Sequence, residues 1–382
     1  MKISDIVCDA VTLPYEQDFY PTWYPGRVEK GQTIFIVRVR TDDGIEGQAT
    51  CEAPFGILAI MKNTVEYLKT FLIGESPFDV ERLILRFRDV ARIAARPWLV
   101  ENAMWDIIGK ASGQPVYKIF GAARDRIRVY AAWGEIRSLE QRKDDARRLV
   151  EEGIKGVKMR FYQENMKDDL ALVEAVRDAV GDKLAIMVDA NQGTAVERTR
   201  GGVPPVWSYE RARETAREME KLKCTWLEEP LFRYDYDGLA RLSREVSIPI
   251  AGGEINKGIH EFKHMLDKGS YSIVQPNCTM SEGMSQIRKI AALADAYGKL
   301  CNPHAWIPGL GVLQSMHLVA SIPNFTWLEY PYDPPKITPE VFQGIVERYY
   351  LPEADGCIPM PDAPGFGIAL DEEKIKKCRI EL

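Results

Sequence analysis

Apolar and polar residues alternate over Ile3–Leu13 and again over Thr33–Arg40. A period of two predicts strands with one buried face. Thr41-Asp42-Asp43-Gly44 predicts a tight turn into a third strand that ends near Cys51. From about Ile57 to Gly113 the apolar spacing lengthens to that of helices. Strands first and helices after define an α+β domain over residues 1–125. Beyond it the rhythm changes. Short apolar runs recur at Ile127–Ala131, Gly156–Met159, Leu184–Val188, Cys224–Leu227, Ile248–Ala251, Tyr271–Val274, Lys299–Cys301 and Thr326–Leu328. Amphipathic stretches such as DLALVEAVRDAVG and SQIRKIAALADAYG separate them. Repeated βα units imply a parallel sheet. Eight strands with seven clear helices imply an α/β fold closed as a modified TIM barrel, (β/α)7β, over residues 126–354. The eighth helix position, ITPEVFQGIVERYY, sits behind a proline-rich turn and carries no clear helix signal.

Composition narrows the class of partner. A net charge of -6 without a block of Lys and Arg argues against nucleic acid. No apolar run is long enough to span a membrane, and MKISDIVCDA lacks the apolar core of a signal peptide. Seven scattered cysteines, with no Cys-x-x-Cys, are expected to be reduced thiols of a cytoplasmic protein.

A barrel places catalytic groups at the C-terminal ends of its strands. Those ends read Lys158-Met159-Arg160, Asp189-Ala190-Asn191, Glu228-Glu229-Pro230, Gly252-Gly253-Glu254, Gln275-Pro276-Asn277, Pro303-His304 and Glu329. One polar residue there could cap the next helix; the whole series is hard to derive from folding alone. Asp189, Glu228 and Glu254 come from three consecutive strands and converge. Three carboxylates so close need a cation to stay ionised. An all-oxygen set with open positions suits one Mg²⁺ ion. Lys158 and His304 flank it; a cation there can hold a carboxylate, and a histidine can move a proton near neutral pH.

In order and spacing, NAMWDIIGKASGQPVYKIFG, VKMR, VDAN, WLEEP, AGGE, VQPN, NPHAWIPGLG, WLEYP and PDAPGFGIALDEE resemble the enolase superfamily, and within it the mandelate racemase subgroup. The resemblance runs over nearly the whole chain. It implies that residues 355–382 return to pack on the first domain. It implies Mg²⁺ ligation by Asp189, Glu228 and Glu254, with Glu229 supporting Glu228. It implies His304 as acid/base, Lys158 as a contact to the substrate carboxylate, and Glu329 as a hydrogen-bonding partner near that carboxylate. A small-molecule carboxylate substrate and a homo-oligomer are expected.

Three departures from the family pattern stand out. Lys-x-Lys at strand two usually supplies a second base, but here the position is Arg160, a poor base because guanidinium stays protonated. The aspartate that usually partners the catalytic histidine is Asn277. An asparagine can accept from the imidazole N–H but cannot stabilise imidazolium as a carboxylate does, which makes His304 a weaker base than the family norm. The gap between Asp189 and Glu228 is about thirteen residues longer than that between Glu228 and Glu254. Its extra stretch, GTAVERTRGGVPPV within 193–207, reads as a lid or substrate-contacting loop, with a passive insertion as the alternative.

Asn191, Tyr20, Trp23 and Trp306 complete the candidate substrate contacts. Tyr20 and Trp23 belong to YEQDFYPTWYPG, where aromatics suit an apolar cover or sugar stacking, or else packing on their own domain. His317, in GVLQSMHLVASI, reads as a packed histidine. HEFKH, residues 260–264, matches the zinc-peptidase pattern H-E-x-x-H. It lies on an outer helix between strands five and six, and at about 100° per residue both histidines fall opposite the apolar stripe of Ile259, Phe262 and Leu266. The match is read as a solvated helix face.

The function expected is dehydration of a sugar acid: removal of the α-proton gives an enediolate, which expels the β-hydroxyl. Racemisation needs a base on each face, and Arg160 argues against it; opening of a sugar lactone by a cycloisomerase needs one base and stays open. A third possibility is a metal-dependent sugar-acid receptor without turnover, against which the retained His304 and complete carboxylate set count.

Overall fold

The computed structural model describes residues 1–54, 56–193 and 207–382. Three antiparallel strands come first: β1 (Ile3–Phe19), β2 (Glu29–Thr41) and β3 (Glu46–Glu52). Eight parallel strands follow: β4 (Arg126–Ala132), β5 (Gly156–Arg160), β6 (Ala185–Asp189), β7 (Trp226–Glu228), β8 (Ile250–Gly252), β9 (Ile273–Val274), β10 (Leu300–Cys301) and β11 (Leu328–Pro331). Two short strands end the chain, β12 (Cys357–Pro359) and β13 (Arg379–Ile380).

The first sheet has the order β13-β1-β2-β3. Gly44 makes the β2–β3 turn with φ +82°, a region that glycine enters without steric cost. Strand β1 runs past Leu13 to Phe19, with a register irregularity between Pro14 and Phe19. Tyr15 and Phe19 are therefore buried strand residues rather than parts of an aromatic loop. Helix Trp98–Ala111 lies so close on this sheet that a Cβ on Gly47 would meet Ala103 O at 2.1 Å.

The barrel order is β10-β9-β8-β7-β6-β5-β4-β11. Its two ends are joined where Cys301 N donates to Asn324 O (2.9 Å) and the Asn302 amide exchanges hydrogen bonds with Thr326 (2.9 and 3.0 Å). Every residue of β5 is buried, which explains continuous apolar runs in place of alternation. Outer helices start on side-chain caps at Ser138, Asn165, Ser208 and Asp235, which satisfy amides the helix itself leaves open. In the eighth position only Pro339–Phe342 is helical.

The cap is fastened over the strand C-termini. Asn102 Oδ1 and Glu101 Oε1 accept from Met284 N and Ser285 N, the first amides of barrel helix Met284–Ala296 (both 3.1 Å). Asn102 Nδ2 donates to Cys278 O (2.9 Å), and Thr50 Oγ1 donates to Pro308 O (2.8 Å). Thr22 N donates to Gly134 O (2.8 Å) and Ile136 N to Tyr20 O (2.9 Å), which lays the 20–24 turn on the mouth. The C-terminal segment first pairs β12 antiparallel with barrel strand β4, then crosses to pair β13 with β1.

Candidate active site

Parallel register sets the level of the site. Arg160, Asp189 and Glu228 are successive cross-strand partners on β5, β6 and β7. Their side chains leave the barrel at one height, and Glu254 comes two residues after the end of β8. One ligand oxygen each from Asp189, Glu228 and Glu254 lies within 4.8 Å of the others.

Each carboxylate has a proton-bearing neighbour. Lys158 Nζ sits 3.0 and 3.1 Å from the Glu228 oxygens and 2.9 Å from Glu329 Oε1. Arg160 Nη1 donates to Asp189 Oδ2 (2.5 Å) and to Asn191 Oδ1 (3.1 Å). His304 Nε2 lies 3.3 Å from Glu254 Oε2 and 3.4 Å from Glu329 Oε2. Gln275 Nε2 and Trp226 Nε1 also donate to Glu228 (3.0 and 3.2 Å), and Ala305 N donates to Glu329 (3.0 Å).

Electrostatics show what these groups lack. Asp189, Glu228, Glu254 and Glu329 are four carboxylates facing two permanent cations, Lys158 and Arg160. The deficit equals the charge of one divalent ion. Without that ion, burial and the Glu228 charge push the Asp189 carboxyl up to about 8, despite Arg160 and Lys158. Burial also works against Lys158 and Arg160, but their carboxylate neighbours raise both above their ordinary values. Glu329 is buried too, yet Lys158 and His304 draw it down to about 2. An all-oxygen donor set with this deficit fits Mg²⁺.

The other expected residues divide. Trp23 and Trp306 meet edge to face (5.2 Å) and both cover the Arg160 guanidinium, at 4.9 and 5.5 Å. Asn191 is in the site but is spent on it: its backbone N and Nδ2 donate to Asp189 (2.8 and 3.0 Å). Its side chain bridges Asp189 and Arg160. Tyr20 lies apart, 43% exposed, with Lys336 over its ring. Glu229 lies just past the end of β7, on a backbone at φ +42°. It pairs with Arg233 (3.2 Å) under Gly193, where a Cβ would come within 2.1 Å of its carboxylate.

Asn277 reverses the expected hydrogen bond. Its Oδ1 accepts from Thr279 N and Thr279 Oγ1 (both 2.8 Å), and its Nδ2 faces His304 Nδ1 at 2.8 Å. Thr279 in turn accepts from Arg96 Nη1 of the cap (3.2 Å). Neither Thr279 nor Arg96 stood out in the sequence; Thr279 lies two residues after an asparagine, the spacing of an Asx turn. The stretch 194–206 lies outside the described residues.

His260 and His264 are exposed on helix Gly258–Lys268, whose buried residues are Phe262, Met265 and Leu266. His317 is packed: Nδ1 accepts from Tyr117 N (3.3 Å), Nε2 faces Phe366 O (3.0 Å), and burial pulls it down to about 4. The seven cysteines are free.

With this fold and site, the chain belongs to the mandelate racemase/muconate lactonizing enzyme family of the enolase superfamily. Residues 20–121 match the model of the mandelate racemase/muconate lactonizing enzyme N-terminal domain, and 141–374 that of the enolase C-terminal domain-like family. Arabinonate dehydratase of Saccharolobus solfataricus is 29% identical over 93% of this chain and 93% of its own length. L-talarate/galactarate dehydratase of Salmonella typhimurium is 30% identical over 89% of this chain and 81% of its own. Its structure liganded with Mg and L-lyxarohydroxamate covers 100% of this chain and 93% of that one, with a TM-score of 0.85 and 25% identity. The 3,6-anhydro-D-galactonate cycloisomerase of Zobellia galactanivorans covers both chains fully, with a TM-score of 0.84 and 26% identity.

Proposed function

We propose that this chain is a Mg²⁺-dependent lyase that dehydrates a sugar acid after removing the proton α to its carboxylate. The observation that carries the reading is the cluster of Asp189, Glu228 and Glu254, in a site whose four carboxylates outnumber its two fixed cations by two, beside a single imidazole. Asp189, Glu228 and Glu254 would hold the Mg²⁺, which when bound stabilises the negative charge that develops on the substrate carboxylate as the α-proton leaves. Lys158, kept cationic by Glu228 and Glu329, supplies a second positive contact for that carboxylate. Among the described groups of the cluster, His304 is the side chain whose chemistry suits proton transfer near neutrality. Arg160 stays charged, orients Asp189 and, with Trp23 and Trp306 over it, shields the site from water.

Similarity to a cycloisomerase keeps one second reading, opening of a sugar lactone through the same α-proton removal. The reading includes a cap of residues 1–125 joined by 355–382 over a barrel of 126–354, and a cytoplasmic setting, which free cysteines support. It also includes a homo-oligomer, supported by exposed Ile60, Tyr67 and Leu85 on the cap helices and Ile93 in the turn that follows them. No helix among the described residues is long and apolar enough to cross a membrane. A panel of aldonic and aldaric acids and their lactones, incubated with Mg²⁺ and followed for ketone formation, tests the proposal. Ketone from at least one free acid, lost in chelator, is expected. Turnover of lactones alone would move the chain to the cycloisomerases, and no turnover of any member would remove the dehydratase reading.

A further inference from the structure

We infer that the capping domain sets which ring nitrogen of His304 carries the proton, through Arg96, Thr279 and Asn277, and that the proton rests on Nε2. The chain of hydrogen bonds has a direction. Arg96 has only donors, so Thr279 Oγ1 accepts from it (3.2 Å). The threonine hydroxyl is then free to donate to Asn277 Oδ1 (2.8 Å). The backbone N–H of Thr279, which cannot reverse, donates to the same oxygen (2.8 Å). These two donors assign the amide: oxygen toward Thr279, NH₂ toward His304. Asn277 Nδ2 stands 2.8 Å from His304 Nδ1, so that nitrogen accepts and the ring hydrogen lies on Nε2, the atom that faces the site.

The groups that impose this are held firmly. Asn277 and Thr279 are fully buried. Arg96 is fixed from both sides, by Glu52 Oε1 (2.9 Å) and Thr279, on a backbone at φ +54° that side-chain-bearing residues seldom adopt. An aspartate at 277 would instead accept from Nδ1–H and leave the Nε2 lone pair facing the site. With asparagine, Nε2 can take up a proton only in the other tautomer, its own hydrogen lost and one held on Nδ1, and that tautomer requires the Asn277 amide to turn, against both Thr279 donors. Arg96 and Thr279 are therefore positioning residues for His304. The consequence for rate rests on the proposed reaction; the location of the ring proton does not.

The chain contains four histidines, so ¹⁵N-histidine labelling gives a spectrum that a His304→Asn variant assigns. At alkaline pH with Mg²⁺ present, His304 should show an unprotonated Nδ1 and a protonated Nε2, the same pattern as packed His317. Asn277→Asp should exchange the two signals. Thr279→Val, which keeps the backbone donor and loses the hydroxyl, should admit a minor Nδ1–H form. A protonated Nδ1 in the unmodified chain would overturn the inference without touching the reaction. A Thr279→Val spectrum identical to the parent's would remove Thr279 and Arg96 from it. If the reaction is as proposed, Asn277→Asp should also raise kcat with KM unchanged; a fall in kcat would show that His304 acts as an N–H donor throughout and overturn the amide-turning step.

Discussion

Replacing Lys158 by methionine keeps much of the stem and deletes the charge. The ammonium is completely buried, with three carboxylate oxygens at 2.9–3.1 Å and Asp189 at 3.9 Å. Its loss raises the excess of carboxylates over fixed cations from two to three. Removing one partner of such a buried pair costs about 3–5 kcal/mol. An unfolding entropy of about 2.1 cal/mol/K per residue gives ~0.8 kcal/mol/K over 382 residues. The unfolding midpoint in chelator should therefore fall by roughly 4–6 °C. Saturating Mg²⁺ should recover part of this, because the ion offsets charge that Lys158 no longer balances. Turnover should fall further than stability, by about 10²–10³ in kcat, since a donor aimed at developing negative charge has gone. Thermal unfolding with and without Mg²⁺, beside ketone formation, measures both. A variant with an unchanged midpoint in chelator and full turnover would refute the charge balance described for the site.

Three further outcomes are expected. Glu254→Gln should stay folded but lose Mg²⁺ binding in calorimetry, together with turnover, because it removes one of three ligand charges. Mg²⁺ binding should release a proton at neutral pH: the metal-free Asp189 carboxyl, raised to about 8 by burial and Glu228, keeps its proton below that value. Affinity should fall toward tenfold per pH unit as pH drops below it and level off above, and calorimetry in buffers of different ionisation enthalpy would show no released proton if the shift is absent. The double variant His260→Ala, His264→Ala should keep parental metal content and rate, since both side chains are exposed on an outer helix; loss of bound metal would revive a zinc site there.

The barrel was legible because its strands are buried on both faces and end in polar residues. That pattern marked Lys158, Asp189, Glu228 and Glu254 before their meeting could be seen, and the register of β5 to β7 explains why it works. What it hid depends on partners distant in sequence. Asn277 reads as an acceptor for the imidazole when the Asx-turn spacing to Thr279 is passed over; the Arg96 donor that sets the Thr279 hydroxyl comes from the cap, far away in sequence. Arg160 was recognised as a poor base, but its bond to Asp189 and its aromatic cover come from β6, the cap and the loop after β10. Strand position places Asn191 at the mouth, but not its hydrogen bond to Asp189. Tyr15 and Phe19 read as loop aromatics because Pro14 suggests a strand end, whereas the ladder resumes at Phe19 opposite Glu29.

The central claim is α-proton removal by one proton-transfer group with Mg²⁺. Its most direct test is turnover of the active sugar acid in deuterated water, with product and recovered substrate both examined by NMR. The account predicts one deuterium of single stereochemistry beside the new ketone, recovered substrate without its C2 epimer, and no reaction in chelator. Appearance of the epimer would show a second working base opposite His304, and product formed equally well in chelator would remove the metal; either result would contradict the account.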